Sequence, residues 1–432
     1  MRILHLTPGS GGTFYCQNCL RDLTLVRALR ARGHDAMVAP LYLPMFGDDE
    51  GGEGRPPIFF GGINVYLREK IPFFRRAPRW LERILDSPWA LRWAAKKEGS
   101  TNAAGLGAMT LSMLEGCEGN QRREYQRFLE WLATQPRPDI IHISNALLLG
   151  FVPAVREVLD TPFVCSLQDE APWVDAMRPP YNQRCWDAMA RLGGYVGKFV
   201  ATSRWYAGLM MERMRIAEER MVVVYPGIET ERIVPTGPSF TPPTIGFLSR
   251  LNEAQGLGIL IDAFIKIKQD PTFKELRLSA SGGATPADQP YLSKLEERLS
   301  KLNLSDAVSL QRSFQTAPDP SFFKGLTVFS APVPKGEAFG IQLIEAMARG
   351  IPVVQPRTGA YPEVIQETGG GVLYDPDQEN GLVEALCKVL TDPEGARAMG
   401  NRGRESVLER FNISRAADEM LKVYQSIQNN PE

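Results

Sequence analysis

The sequence predicts an α/β protein of two domains, each built on a parallel sheet, and three observations lead there. Short apolar runs alternate with helical patterns from the first residues, the alternation resumes after a long break, and a proline-rich stretch at 234–244 separates two such series. At 432 residues the chain exceeds one ordinary core. Two or three domains of about 100 to 200 residues are expected.

The first strand is "RILHLT" (2–7); "GSGGT" reads as a turn, and Leu20, Leu23, Val26 and Leu29 recur at helical spacing before Gly33. "DAMVAPLYL" is the next strand, and two strands joined by a helix imply a parallel βαβ unit. From 44 to 120 the rhythm gives way to Gly, Pro and aromatic residues, an insertion on the first domain. Within it, residues 75–97 carry seven bases against two acids, interleaved with Trp80, Trp89 and Trp93. This segment reads as packing over the first domain or, alternatively, as a surface for peripheral membrane contact.

The rhythm returns with "PDIIHIS" (138–144), "TPFVCSLQDE" (161–170), "KFVATS" (198–203) and "RMVVVYPGI" (220–228), continuous apolar runs suited to strands buried on both faces. The four prolines of 234–244 mark a linker. Beyond it come "IGFLSRL", "LRLSASGG", "AVSLQRS", "LTVFSAPV" and "IPVVQP", then a closing amphipathic segment. The expected division is a first domain at 1–233, a second at 234–413 and a final helix at 414–432.

Composition narrows the function. The chain is 44% hydrophobic and 23% charged, as in soluble globular proteins. A net charge of -1 gives no whole-chain attraction to nucleic acid or anionic membrane. The N-terminus lacks the pattern of a secretory signal, and no window approaches the run of about 18 to 20 apolar residues a membrane span needs. A cytoplasmic protein is expected, with its six cysteines reduced. Cys16 and Cys19 form a C-x2-C, which reads as packing or cleft lining, with a redox pair as the alternative.

The chemistry concentrates at 336–354, "GEAFGIQLIEAMARGIPVV", where Glu337 and Glu345 bracket an apolar run. A strand, a loop and then a helix from Ile341 would aim the free amides of Phe339, Gly340 and Ile341 out of a sheet edge. Such a helix start favours anions. Gly340 permits close approach of a phosphate, and carboxylates commonly accept from ribose hydroxyls in nucleotide sites. Taken alone, the two acids read more readily as one cap and one solvated side chain. Asp169, at the end of another strand, is a candidate for acceptor contact against a reading as a helix cap. His5 and His142 read as core or cleft-edge histidines.

With these residues the sequence resembles the family 4 nucleotide-sugar-dependent retaining glycosyltransferases of GT-B fold, two Rossmann-like domains facing across a cleft. The resemblance lies in the E-x7-E element (Glu337, Glu345), the strand end "GFLSRL", the loop "PGSGGT" and the junction "VYPGIE". It implies that Glu345 binds the donor ribose, Glu337 the transferred sugar, and the Phe339 and Gly340 amides the diphosphate. It further implies that Arg250 neutralises the leaving group, and that Gly11 and Gly12 let the backbone reach the donor. Neither metal nor cofactor is implied, the nucleotide diphosphate sugar being a co-substrate and the acceptor a glycan, lipid or small molecule. The sequence departs from the family at Gln255, where a lysine is usual, and at Gln168, where many members carry histidine. A nucleotide-sugar binder without turnover is therefore the alternative. A nicotinamide enzyme using "GSGGT" is disfavoured, because Phe14 stands where a third glycine belongs.

Overall fold

The structure, a computed structural model, describes residues 1–9, 17–42, 103–313 and 320–429. Gly11, Gly12, Cys16 and the basic segment 75–97 lie outside the described residues. The chain groups into two compact units, one of Met1–Gly11, Asp22–Tyr225 and Ala417–Glu432, the other of Gly12–Arg21 and Pro226–Ala416.

The first unit holds a parallel sheet of β1 (Arg2–Thr7), β2 (Asp35–Pro40), β3 (Ile140–Ile143), β4 (Phe163–Leu167), β5 (Lys198–Ala201) and β6 (Met221–Val223), in the order β2-β1-β3-β4-β5-β6. β3 and β4 are buried along their whole length, as their unbroken apolar runs require. The helix Gln17–Ala31 buries Cys19, Asp22, Val26 and Leu29, while Leu20 and Leu23 stay half-buried. The expected stripe is thus buried at Val26 and Leu29, while at its N-terminal end the inner face shifts by one residue to Cys19 and to Asp22, which accepts from Thr7 at 3.0 Å.

The second unit repeats the plan with β7 (Thr244–Leu248), β8 (Arg277–Ser281), β9 (Val308–Gln311), β10 (Val328–Phe329), β11 (Val353–Pro356) and β12 (Gly371–Tyr374). Their order is β9-β8-β7-β10-β11-β12, again all parallel. Counted within the unit, this is the 3-2-1-4-5-6 order of a doubly wound sheet, whose direction of growth reverses between β7 and β10. Edge strand β12 is absent from the strands that the sequence predicts. It opens on the last of three consecutive glycines, and the three residues that follow are too short an apolar run to register as a strand.

The proline-rich stretch is not a free linker. The main-chain N–H groups of Thr236 and Gly237 donate to the Arg349 carbonyl at 3.0 and 2.9 Å, and that of Ser239 to Leu326 at 2.9 Å. The residues between the prolines supply donors that strap the segment onto the second unit, and the division between units falls at Tyr225 and Pro226.

The last helix, Ile413–Gln428, buries Ala417, Met420, Val423, Tyr424 and Ile427 at helical spacing, and from Ala417 onward it groups with the first unit. Tyr424 Oη pairs with His142 Nδ1 at 2.7 Å in the interior, and Arg32 Nε donates to Asp418 Oδ1 at 2.7 Å on the outside. No helix among the described residues is long and apolar enough to cross a membrane. Replacing Tyr424 by Phe keeps the ring but removes the hydroxyl facing a buried imidazole. We expect a loss of about 1 to 2 kcal/mol in urea unfolding, and a change within a few tenths would show the hydroxyl to be idle.

Candidate functional site

In a doubly wound sheet the connections on either side of the reversal run to opposite faces, leaving a crevice beyond the strand ends. In the second unit the loops that border this crevice leave β7 and β10, and they carry Arg250 and Glu337 respectively. The two loops touch: a Cβ added to Gly256 would stand 2.1 Å from the Pro332 carbonyl oxygen. Gly256, at φ +81°, occupies a left-handed conformation just before the helix Leu257–Ile267.

The β10 loop is pressed against the loop after β11 through glycine. A Cβ on Gly336 would lie 2.5 Å from the Gly359 backbone, and one on Gly359 would lie 2.7 Å from the Glu337 nitrogen. The Ala360 N–H donates to the Glu337 carbonyl at 3.0 Å, fixing the main chain at that acid. Glu337 is buried, at 7% exposure, yet its carboxylate is well provided for. Oε2 accepts from Gln342 Nε2 at 2.6 Å and Tyr361 Oη at 3.0 Å, and Oε1 from Gln17 Nε2 at 3.0 Å.

The helix Ile341–Ala348 begins where the sequence places it, with Gly340 at φ +97° before it. Its Ile341 N–H points to Gln17 Oε1 at 3.0 Å. Gln17, which groups with the second unit, therefore spans the helix start and the Glu337 carboxylate with one amide. Phe339 is buried with its ring 5.7 Å from that of Phe411, leaving only its backbone for a ligand. Glu345 lies half-buried on the second turn, and its carbonyl accepts from Arg349 Nη1 at 2.8 Å.

Arg250 leaves the end of β7 and is clamped by a neighbouring loop. Nε donates to Asp288 Oδ2 at 2.9 Å, and Nη2 to Asp288 Oδ1 at 3.0 Å and Thr285 Oγ1 at 2.8 Å. Burial opposes the charged form of Asp288, but hydrogen bonds from Arg250 and Thr285 outweigh it and hold the carboxyl below the usual range. Gln255 faces Ser249, whose Oγ donates to Gln255 Oε1 at 2.8 Å, so a neutral contact stands where the family pattern has a cation.

Gln17, Gln342, Tyr361 and Asp288 are not legible as site residues in the sequence. Amides, a phenol and a distant acid carry no motif of their own, and only folding brings them to Glu337 and Arg250.

At the matching edge of the first unit, β1 and β3 flank the reversal. His142 does not line an open edge: it is fully buried, with Nδ1 on Tyr424 and Nε2 on Ser166 Oγ at 2.8 Å. Gln168 is also interior, donating through Nε2 to the Ser144 carbonyl at 2.5 Å, while its Oε1 has no hydrogen-bond partner. Asp169 adopts φ +60°, rare for a residue with a side chain, and makes no side-chain cap to the helix after it. The capping alternative is thus not what the structure shows. Glu170 takes the inward position, accepting from the N–H groups of Ala146 and Gln168 at 3.0 and 2.7 Å and from Tyr206 Oη at 2.6 Å. Among the described residues no group of His, Cys, Asp or Glu is clustered to hold a metal.

Comparison with known proteins gives two family matches. Residues 230–406 fit the model for glycosyl transferases group 1, and residues 116–232 fit that for glycosyltransferase family 4. The chain is 27% identical over 219 residues to a lipopolysaccharide core biosynthesis mannosyltransferase of Rhizobium meliloti, covering 48% of this chain and 60% of that one. It thus spans less than two thirds of that relative. With the alpha-maltose-1-phosphate synthase of Mycobacterium tuberculosis it shares 24% identity over 396 residues, 86% of this chain and 97% of the other. Among solved structures, the sucrose-phosphate synthase of Thermosynechococcus elongatus superposes with a TM-score of 0.70 at 18% identity, covering 99% of both chains.

Glu170 yields a pH signature for the first unit. Burial pushes its carboxyl above the ordinary glutamate value, and the hydrogen bonds from Tyr206, Ala146 and Gln168 do not cancel that effect. A raised folded value means that the native state holds the proton more tightly than the unfolded chain. The group's contribution is therefore fully present below about pH 4.5 and is lost as pH rises through the folded value. We expect the stability of the wild type relative to Glu170→Gln to fall as pH rises from 4 toward 7 in urea titrations. A difference that does not vary with pH would refute this.

Proposed function

Because the chain belongs to the group 1 glycosyl transferases of the family 4 type, we propose that it is a retaining glycosyltransferase acting without a metal on a nucleotide diphosphate sugar. The fold is GT-B, two Rossmann-like domains. The observation that carries the reading is the convergence of Glu337, the Ile341 helix start and the Arg250 strand end on the reversal between β7 and β10.

In the reaction, the bond between the sugar's anomeric carbon and the terminal phosphate oxygen breaks. A bond to an acceptor oxygen forms on the same face, and the acceptor's proton passes to the departing diphosphate. The amides of Phe339, Gly340 and Ile341 receive the diphosphate, aided by the helix dipole. Glu345 takes the ribose hydroxyls and Glu337 those of the transferred sugar. Arg250 stabilises the charge that develops on the departing diphosphate, the role a metal ion plays elsewhere. Gly11 and Gly12 would let the backbone reach the donor, and Asp169 is the acceptor-side candidate, the buried Gln168 standing behind it. The acceptor is a glycan, a lipid or a small molecule.

One observation favours the alternative of a donor-binding protein without turnover: Gln255, held by Ser249, contributes no charge. The variant Gln255→Lys separates the two. A rise in turnover marks an enzyme weakened at this position, and no turnover in either form supports the binder.

Calorimetric titration with UDP, GDP and ADP tests the donor site directly. We expect one nucleotide to be preferred and its affinity to fall roughly 10- to 100-fold in Glu345→Ala. The Glu337→Gln variant should bind that nucleotide nearly as well while hydrolysing the corresponding sugar nucleotide about 100-fold more slowly. Near-zero effects of both substitutions would remove the site assignment.

A further inference from the structure

Resting on this donor-site reading, we propose that Asp288 is a positioning residue that sets the guanidinium of Arg250 for the leaving diphosphate. An arginine at a strand end has many rotamers, and each must be excluded before the group can act at one point in space. Asp288 excludes them with a bidentate grip on Nε and Nη2 at 2.9 and 3.0 Å, a geometry that fixes the plane of the fork as well as its position. Thr285 Oγ1 takes a further hydrogen bond from Nη2 at 2.8 Å.

The grip is itself braced. Thr285 and Asp288 form a reciprocal cap: the Thr285 N–H and Oγ1 donate to Asp288 Oδ2 at 2.8 and 2.7 Å, and the Asp288 N–H donates back to the Thr285 side chain. Asp288 immediately precedes the helix Gln289–Lys301 and is 7% exposed, so its carboxylate has little room to wander.

Electrostatics makes the assignment distinctive. An acid beside a cation that must receive a diphosphate weakens the attraction for that anion, so Asp288 is unfavourable for ground-state binding. Its value lies in geometry, which matters most as charge develops on the departing oxygen. Removing its charge should therefore lower turnover without weakening binding. A residue that merely supports the fold would lower both.

The test is a double-mutant cycle between Asp288→Asn and Arg250→Ala, read by calorimetry with UDP, GDP and ADP and by hydrolysis of UDP-glucose, GDP-mannose and ADP-glucose. In Asp288→Asn we expect nucleotide affinity unchanged or severalfold tighter and kcat for hydrolysis lower by about 10- to 100-fold. In the Arg250→Ala background, itself slower by roughly 100- to 1,000-fold, the same substitution should have no further effect on kcat. Thermal melts of all four proteins confirm that each is folded. A kcat loss that persists in the Arg250→Ala background, or binding and turnover that fall together, overturns the positioning role while leaving the donor site intact. An Arg250→Ala protein that hydrolyses at the wild-type rate overturns the donor-site reading and the role of Asp288 with it.

Discussion

The reversal of strand order between β7 and β10 is the constraint on which the site depends. A parallel sheet must send each connection over one face or the other, and only where the winding changes direction do two neighbouring strand ends open into an uncovered gap. The residues that leave those two strands are brought together by topology before any side-chain contact is made. Arg250 and Glu337, 87 positions apart in the chain, become neighbours in the sheet order for this reason.

Within the gap, backbone approaches that only glycine allows set the working distances. The contact of Gly336 with Gly359 holds the Glu337 main chain against the next loop, and Gly256 lets the β7 loop lie against Pro332. Gly340 turns the chain into its helix with a conformation that side chains resist, and its α-carbon lies where a Cβ would meet Tyr361 at 3.1 Å and Glu337 at 3.4 Å. The helix start and the buried carboxylate are thereby held as one rigid piece.

Much of this is legible in the sequence because it is local. Among the described residues, eleven of the twelve strands leave apolar runs, and the helix start at Ile341 can be inferred from the loop and glycine before it. What the sequence conceals is long-range and polar. The stripe on the first helix holds at Val26 and Leu29 but gives way at Leu20 and Leu23, where a buried Asp22 takes the inner face, and the prolines of 234–244 suggest a tether because their neighbours' hydrogen bonds are invisible until the chain folds. The same holds for His142: its strand position can be read, but its pairing with Tyr424, 282 residues away, cannot.

The polar groups that meet at Glu337 and the Ile341 helix start already pair with one another, and this restricts what can bind there. Gln17 accepts from the Ile341 amide and donates to Glu337 with opposite ends of a single neutral group. A ligand that displaces it must offer both functions at the same separation, or forfeit the bond to one carboxylate oxygen or to a helix amide at a cost of about 1 to 3 kcal/mol. A bare phosphate supplies only acceptors, and a free sugar lacks the anion that the helix dipole favours. A sugar joined to phosphate supplies a hydroxyl to donate and an anionic oxygen to accept. Under the proposed function, the arrangement around Glu337 and Ile341 favours a joined sugar phosphate by hydrogen-bond polarity, before the nucleotide is read at all.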